Sequence, residues 1–209
     1  MKLIIATPSP FARKVRVALR EKNMDFQEQI DVPWNPEAVA GEFNPLGKIP
    51  ALILDNGSTV FDSSVIVEYL ETLGYEPPLI PKNADQRFRV RQIEVLADGI
   101  SDALVLIVLE KHRPQELQSG DWIERQQAKI DGGLAALSQQ LGDAEYFVGE
   151  RLTVADIAAG CALGYLDLRL SNYNWRNKAD NLKRFKATID QRPSFQETFP
   201  TSQEISSVR

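Results

Sequence analysis

The first eighty residues alternate between two hydrophobic periods. Leu3-Ile4-Ile5-Ala6 is a short unbroken apolar run, as in a strand buried on both faces. Pro10 then suits the first turn of a helix, and Val15, Ala18 and Leu19 recur at helical spacing until Lys22-Asn23 stops it. Phe26 to Ile30 reads as a second strand and Pro36 to Phe43 as a short helix. Pro50-Ala51-Leu52-Ile53-Leu54 and Thr59-Val60-Phe61 bracket Asp55-Asn56-Gly57, a hairpin turn signal. Val65, Ile66, Tyr69, Leu70 and Leu73 then form a helix face ending at Gly74. The predicted order is β-α-β-α-β-β-α.

A proline-rich connector, Glu76-Pro77-Pro78 through Pro81-Lys82-Asn83, cannot continue a helix, and beyond it the texture changes. Asp85 to Lys111 reads as one long helix with Ile93, Leu96, Ala97, Ile100, Leu104 and Ile107 on its apolar face. Trp122 to Leu141, Thr153 to Leu170 and Lys178 to Gln191 give three more, the last stopped by Pro193. No strand signal follows residue 81, and there is no internal repeat or low-complexity segment. The pattern predicts an α/β domain over 1–76, a linker over 77–84 and an all-helical domain over 85–209.

Charge and composition narrow the partners. The formal net charge of the 209 residues is -5, and no dense Lys/Arg run points to nucleic acid. Arg13-Lys14-Val15-Arg16, interrupted by an apolar residue, reads as one face of a helix. No run approaches the ~20 apolar residues that cross a bilayer, and Met1 to Ile5 lacks the apolar core of a signal peptide, so no membrane partner and a cytoplasmic location are expected. Cys161, the single cysteine, excludes an internal disulfide and sits among alanines as a small buried hydrophobe would. His112, the single histidine, has no Cys or carboxylate neighbour in sequence suited to a metal site or a triad, so no metal is expected.

Candidate chemistry gathers at three places. Thr7-Pro8-Ser9-Pro10-Phe11 joins the first strand to the first helix, where unpaired backbone N–H groups and a partial positive charge favour an anion, including a thiolate. Ser9 there either caps the helix or offers a hydroxyl to that anion, and Thr7 is the competing hydroxyl. In Asn44-Pro45-Leu46-Gly47-Lys48-Ile49-Pro50, the Ile49–Pro50 bond either is cis, turning the Ile49 backbone outward to pair with an extended peptide, or is an ordinary trans-proline opening an edge strand. Phe61-Asp62-Ser63-Ser64 opens the next helix, and Ser63 either caps it or helps hold a carboxylate. Together, two helix starts and a proline-preceded strand edge would form a cleft suited to an anionic peptide.

These three motifs, in this order and followed by a helical second domain, resemble the glutathione S-transferase superfamily, in its bacterial, serine-type form, over essentially the whole chain. The resemblance implies a thioredoxin-like N-terminal domain, an all-α helical-bundle C-terminal domain, and glutathione as co-substrate without a metal. It implies that Ser9 donates to the glutathione thiolate, with Phe11 beside it. Ile49 would pair its backbone with the cysteinyl unit at cis-Pro50, Lys48 would lie near the peptide or its glycyl carboxylate, and Asp62 and Ser63 would hold the γ-glutamyl end. A small electrophilic second substrate would sit between the domains of a homodimer.

The activity implied is conjugation of glutathione to that electrophile. The alternatives are a glutathione-binding protein with little turnover, or a glutathione-dependent isomerase or dehalogenase. The isomerase branch typically carries a second serine and a cysteine in its first-helix motif, which Thr7-Pro8-Ser9-Pro10-Phe11-Ala12 lacks. Serine instead of cysteine at position 9 also argues against glutaredoxin-like chemistry. Finally, Thr153 with Asp156 three residues on is a capping box, a hallmark of the family's second domain, and is structural.

Overall fold

The computed structural model describes residues 1–206; the last three residues of the helical domain expected to reach 209 lie outside the described residues. The N-terminal part runs β1 (Lys2–Ile5), α1 (Pro10–Glu21), β2 (Gln27–Ile30), α2 (Ala40–Phe43), β3 (Ala51–Ile53), β4 (Thr59–Val60) and α3 (Ser63–Thr72). The helical part follows with α4 (Ala84–His112), α5 (Gly120–Leu141), α6 (Val154–Arg169), α7 (Asp180–Ile189) and α8 (Pro193–Gln196). The element order matches the hydrophobic periods. The strands form one mixed sheet ordered β2-β1-β3-β4, in which β1 and β2 are parallel and the other neighbours antiparallel. Parallel strands need a crossover, which α1 supplies. Leu3, Ile4 and Ile5 on the inner strand β1 are fully buried, which accounts for the unbroken apolar run.

Several boundaries shift by one or two residues, as at Ala84, Gly120 and Asp180, and two further differences have local reasons. Helix α2 begins at Ala40 instead of Pro36, because the buried Asp31 carboxylate accepts the Val39 and Ala40 N–H groups at 3.1 and 2.8 Å and starts the helix there. Pro193 does not merely stop a helix. It opens α8, a position where the missing N–H costs nothing.

The basic stretch of α1 also differs. Arg13, Lys14 and Arg16 are all buried, because α1 is covered by the sheet on one side and by the helical domain on the other. Arg13 enters a groove on α6, where its guanidinium lies against Gly164, donates to the Phe195 carbonyl at 3.0 Å and stacks on the Phe195 ring. Lys14 turns to α3 and α4, while Arg16 pairs with Glu28 at 2.9 Å.

At the far end of α1, Lys22 donates to the carbonyls of Tyr75 and Pro77 just after α3, and Val154 at the start of α6 donates to the Leu79 carbonyl in the linker. With Arg13 against Gly164, these contacts make α1 and α6 antiparallel. The Ser9 end of α1 and the Arg169 end of α6 therefore share the opposite end of the molecule. The start of α6 is fixed by Asp156, whose carboxylate accepts from the N–H groups of Phe147 and Thr153 at 2.8 and 2.7 Å and from the Thr153 hydroxyl at 2.8 Å. Burial pushes this carboxyl up to about 6, while those hydrogen bonds pull the other way.

Helix α8 is held on α1 by Glu21, which accepts from Arg192 at 2.9 and 2.7 Å and from the Ser194 hydroxyl. Burial opposes ionisation of Glu21, yet the bonds from Arg192 and Ser194 bring its pKa below the ordinary value. A carboxyl lowered in the folded state adds stability above its unfolded pKa and loses that contribution as pH falls through the folded value. Glu21→Gln is therefore expected to be less stable at neutral pH and to lose less stability than the parent between about pH 5 and pH 3, read from denaturation midpoints.

Candidate glutathione-type site at the end of the sheet

Strand register gathers the three sequence motifs. Ile4 of β1 lies opposite Ala51 of β3, so the chain leaving β1 toward Ser9 and the chain entering β3 through Ile49–Pro50 meet at one end of the sheet. Leu52 lies opposite Val60, which brings Phe61, Asp62 and Ser63 to the same end. The Ile49–Pro50 bond is cis. Gly47, with φ 61°, takes the left-handed conformation that closes the preceding turn, and Asn44 braces it by donating to the Lys48 carbonyl and accepting from the Leu46 N–H. Among the described residues, the N–H and carbonyl of Ile49 take no part in a turn or loop hydrogen bond.

Ser9 is the N-cap of α1, in extended backbone conformation, and its Oγ accepts from the Ala12 N–H at 3.2 Å. Capping uses the oxygen as an acceptor and leaves the hydroxyl proton free to donate. The two roles open in the sequence are thus compatible in one rotamer. Thr7 is differently placed. Its hydroxyl donates to the Thr201 carbonyl at 3.0 Å and its N–H to Gln203 Oε1 at 2.9 Å, so the C-terminal segment occupies both. Phe11 is half-buried on the first turn of α1.

Across the cleft, Asp62 caps α3 with one oxygen, Oδ1, which accepts from the N–H groups of Ser64 and Val65 at 3.0 and 3.4 Å. Ser63 is buried, and its hydroxyl has no partner among the described residues. Lys48 is exposed and in no ion pair among them. Asp102 of α4, which sequence reasoning missed, lies within electrostatic reach of both: burial raises its pKa, Lys48 opposes the shift and Asp62 adds to it.

Behind the cleft lies a buried charge cluster that the sequence reading also missed. Lys14 Nζ is 2.9 Å from Glu94 Oε1 and 2.7 Å from Asp98 Oδ2, and it donates to Ser64 Oγ at 3.3 Å. Burial works against the ammonium, but Asp98 and Glu94 outweigh it and raise its pKa. Burial likewise opposes ionisation of Glu94, which Lys14 and Arg91 nonetheless lower. Asp98 is raised by burial, in spite of Lys14, with Glu94 and Asp102 adding to the effect. The available signal was Glu94 and Asp98, one turn apart on α4, each beside a core position (Ile93, Ala97).

Other candidates fall away from this end. Cys161 is buried, which pushes its thiol up to about 11, and the His112 ring pairs with the Val108 carbonyl. Arg87 and Arg91 both pair with Glu68. Trp175 is buried, whereas Trp34 and Trp122 are 41% and 39% exposed. No group of His, Cys, Asp and Glu arranged to hold a metal occurs among the described residues, and no helix there is long and apolar enough to cross a membrane. Two open surface clefts, of about 540 and 520 Å³, include none of Ser9, Ile49 and Asp62.

Comparison with known proteins decides the family. The model described as "Glutathione S-transferase, N-terminal domain" matches residues 8–73, and "Glutathione S-transferase, C-terminal domain" matches residues 120–185. The uncharacterized GST-like protein YibF of Escherichia coli is 38% identical over 200 residues, covering 96% of this chain and 98% of its own. The chain belongs to the glutathione S-transferase superfamily. A glutathione S-transferase from Methylobacterium radiotolerans, solved with glutathione sulfonate, superposes with a TM-score of 0.96 at 44% identity, covering 99% of this chain and 97% of that one. Another from Methylobacillus flagellatus, with glutathione bound, gives 0.90 at 42%, covering 96% and 99%. A maleylacetoacetate isomerase of Pseudomonas aeruginosa is 32% identical over 169 residues, 75% of this chain and 77% of that protein. The mixed four-stranded sheet followed by a helical domain is the glutathione S-transferase fold, as expected.

Proposed function

We propose that this protein binds glutathione at the end of the sheet and transfers it to a small electrophile. The observation that carries the proposal is the convergence of Ser9, Ile49 and Asp62–Ser63 at one sheet end, with Ser9 holding an undonated hydroxyl proton at a helix start. The extended tripeptide pairs its cysteinyl backbone with Ile49 beside Pro50. Its γ-glutamyl carboxylate takes the Ser63 hydroxyl and the first N–H groups of α3, its ammonium takes the free oxygen of Asp62, and its glycyl end lies toward Lys48. The sulfur then sits at Ser9, near Phe11.

A free thiol has a pKa of ~8.5, so little thiolate exists at neutral pH. Lowering it by one to two units takes about 1.4–2.7 kcal/mol of thiolate-selective stabilisation. One hydroxyl donor and a helix N-terminus are of that size. The thiol proton leaves to solvent and the thiolate pair forms a carbon–sulfur bond. The displaced electrons depart with a leaving group, or settle on the acceptor and are protonated. The second substrate approaches between the domains, where α4 and α6 reach the Ser9 end.

A homodimer is part of the proposal. Phe88 and Val95, seven residues apart on one face of α4, are 67% and 69% exposed, and Val65 on α3 is 53% exposed beside them across the Glu68–Arg87 and Glu68–Arg91 pairs. Such a face suits a second copy of the chain. Sedimentation should give a dimer that Phe88→Glu dissociates.

The isomerase relative supports a second reading, tested alongside the first. Calorimetry with glutathione and product analysis over an electrophile panel that includes maleylacetoacetate distinguish them. Conjugates with a carbon–sulfur bond support transfer, and isomerised product with glutathione unconsumed supports isomerisation. Binding without any product leaves a glutathione-binding protein.

A further inference from the structure

An ammonium buried between two carboxylates is a costly way to join helices, since apolar side chains of similar volume usually stabilise as well or better. Packing alone therefore does not explain Lys14, which is 1% exposed. Its direction does. From the second turn of α1 it reaches Glu94 and Asp98 on α4 and Ser64 on α3, and Ser64 Oγ in turn lies 3.5 Å from Asp98 Oδ2. Ser64 is the neighbour of Ser63 and gives its N–H to Asp62. One cation thus ties the helix that begins at Ser9 to the first turn of the helix that begins at Asp62–Ser63, with α4 as the common support.

We propose that Lys14 is a positioning residue that sets the spacing between these two helix starts, so that a tripeptide held by its γ-glutamyl end presents its sulfur to Ser9. The inference rests on the glutathione reading above. A ligand gripped at both ends senses the distance between the grips, and misplacement by about 1 Å can cost a reaction ~100-fold. Farther along, Glu68 holds α3 to α4 through Arg87, which takes no part in the Lys14 cluster, and through Arg91, which also pairs with Glu94. Loss of the Lys14 tie then frees the first turn of α3 without undocking the helix.

The test uses the full chain with Lys14→Met, Lys14→Arg and Ser64→Ala. Three quantities are read: the dissociation constant for glutathione, the thiol pKa of bound glutathione from thiolate absorbance, and kcat and KM for a conjugated electrophile. Lys14→Met and Ser64→Ala are expected to raise the bound-thiol pKa by about half a unit to one unit and to lower kcat about 10–100-fold, with the dissociation constant changing far less. Lys14→Arg, which keeps the charge and the donors, should recover part of kcat. Ser64→Ala cuts only the α3 contact and decides the matter if Lys14→Met does not fold. Variants that melt earlier yet keep the parent thiol pKa and kcat would overturn the proposal and leave Lys14 a structural tie. If the parent protein itself neither binds glutathione nor lowers its thiol pKa, the functional reading fails first and this inference with it.

Discussion

Ser9→Ala is expected to return the thiol pKa of bound glutathione toward the free value of ~8.5 and to lower kcat/KM for conjugation by roughly 10²–10³, the loss seen when a preorganised donor to a developing anion is removed. The neighbouring hydroxyl is engaged elsewhere. Thr7, two residues away, has its hydroxyl on the Thr201 carbonyl and its N–H on Gln203. The substitution also strips the cap from α1, which costs about 1 kcal/mol of stability. Cap loss and thiolate loss separate in Ser9→Asn, because asparagine caps helices well but places an amide where the hydroxyl stood. That variant should restore the melting temperature and not the thiol pKa. An unchanged thiol pKa in Ser9→Ala would remove Ser9 from the chemistry, whatever happened to stability.

Gly164→Val is expected to be the most damaging single change to the scaffold. A Cβ at position 164 would sit 2.3 Å from an Arg13 guanidinium nitrogen, far inside contact distance. A long side chain at the surface would swing aside, but Arg13 is 1% exposed and held by the Phe195 carbonyl and the ring of Phe195. Expelling it leaves a charged group without its partners and separates α1 from α6, where the two domains meet. The expected loss is about 3–5 kcal/mol, which lowers the melting temperature of a chain this size by roughly 6–20 °C. Gly99→Val is the internal control, the same substitution within helix α4, where an added Cβ would meet nothing within 4 Å. If Gly164→Val melts like that control, the close approach of α1 to α6 is not what holds the domains together.

What the sequence disclosed, and what it withheld, divides along the range of the interactions. The strand Leu3–Ile5, the hairpin around Asp55-Asn56-Gly57 and the helix that starts at Asp62 are set by neighbours in the chain, and their signals are visible there. The candidate site was legible for the same reason, since each of its three motifs is a turn or a cap. Their convergence needed the sheet register, in which Ile4 meets Ala51 and Leu52 meets Val60. Burial of Arg13 and Lys14 was hidden because it depends on α4, α6 and α8 closing over α1, and an isolated basic stretch on a helix looks the same whether or not something covers it. The engagement of Thr7 was hidden too: its hydroxyl and N–H pair with Thr201 and Gln203, nearly two hundred residues away in the chain.

A crystal structure of the protein with glutathione tests the central claim most directly. The sulfur should lie within hydrogen-bond distance of Ser9 Oγ, with the cysteinyl backbone on Ile49 and the γ-glutamyl end on Asp62 and Ser63. Glutathione seated elsewhere, or at this cleft with its sulfur turned away from Ser9, would contradict it.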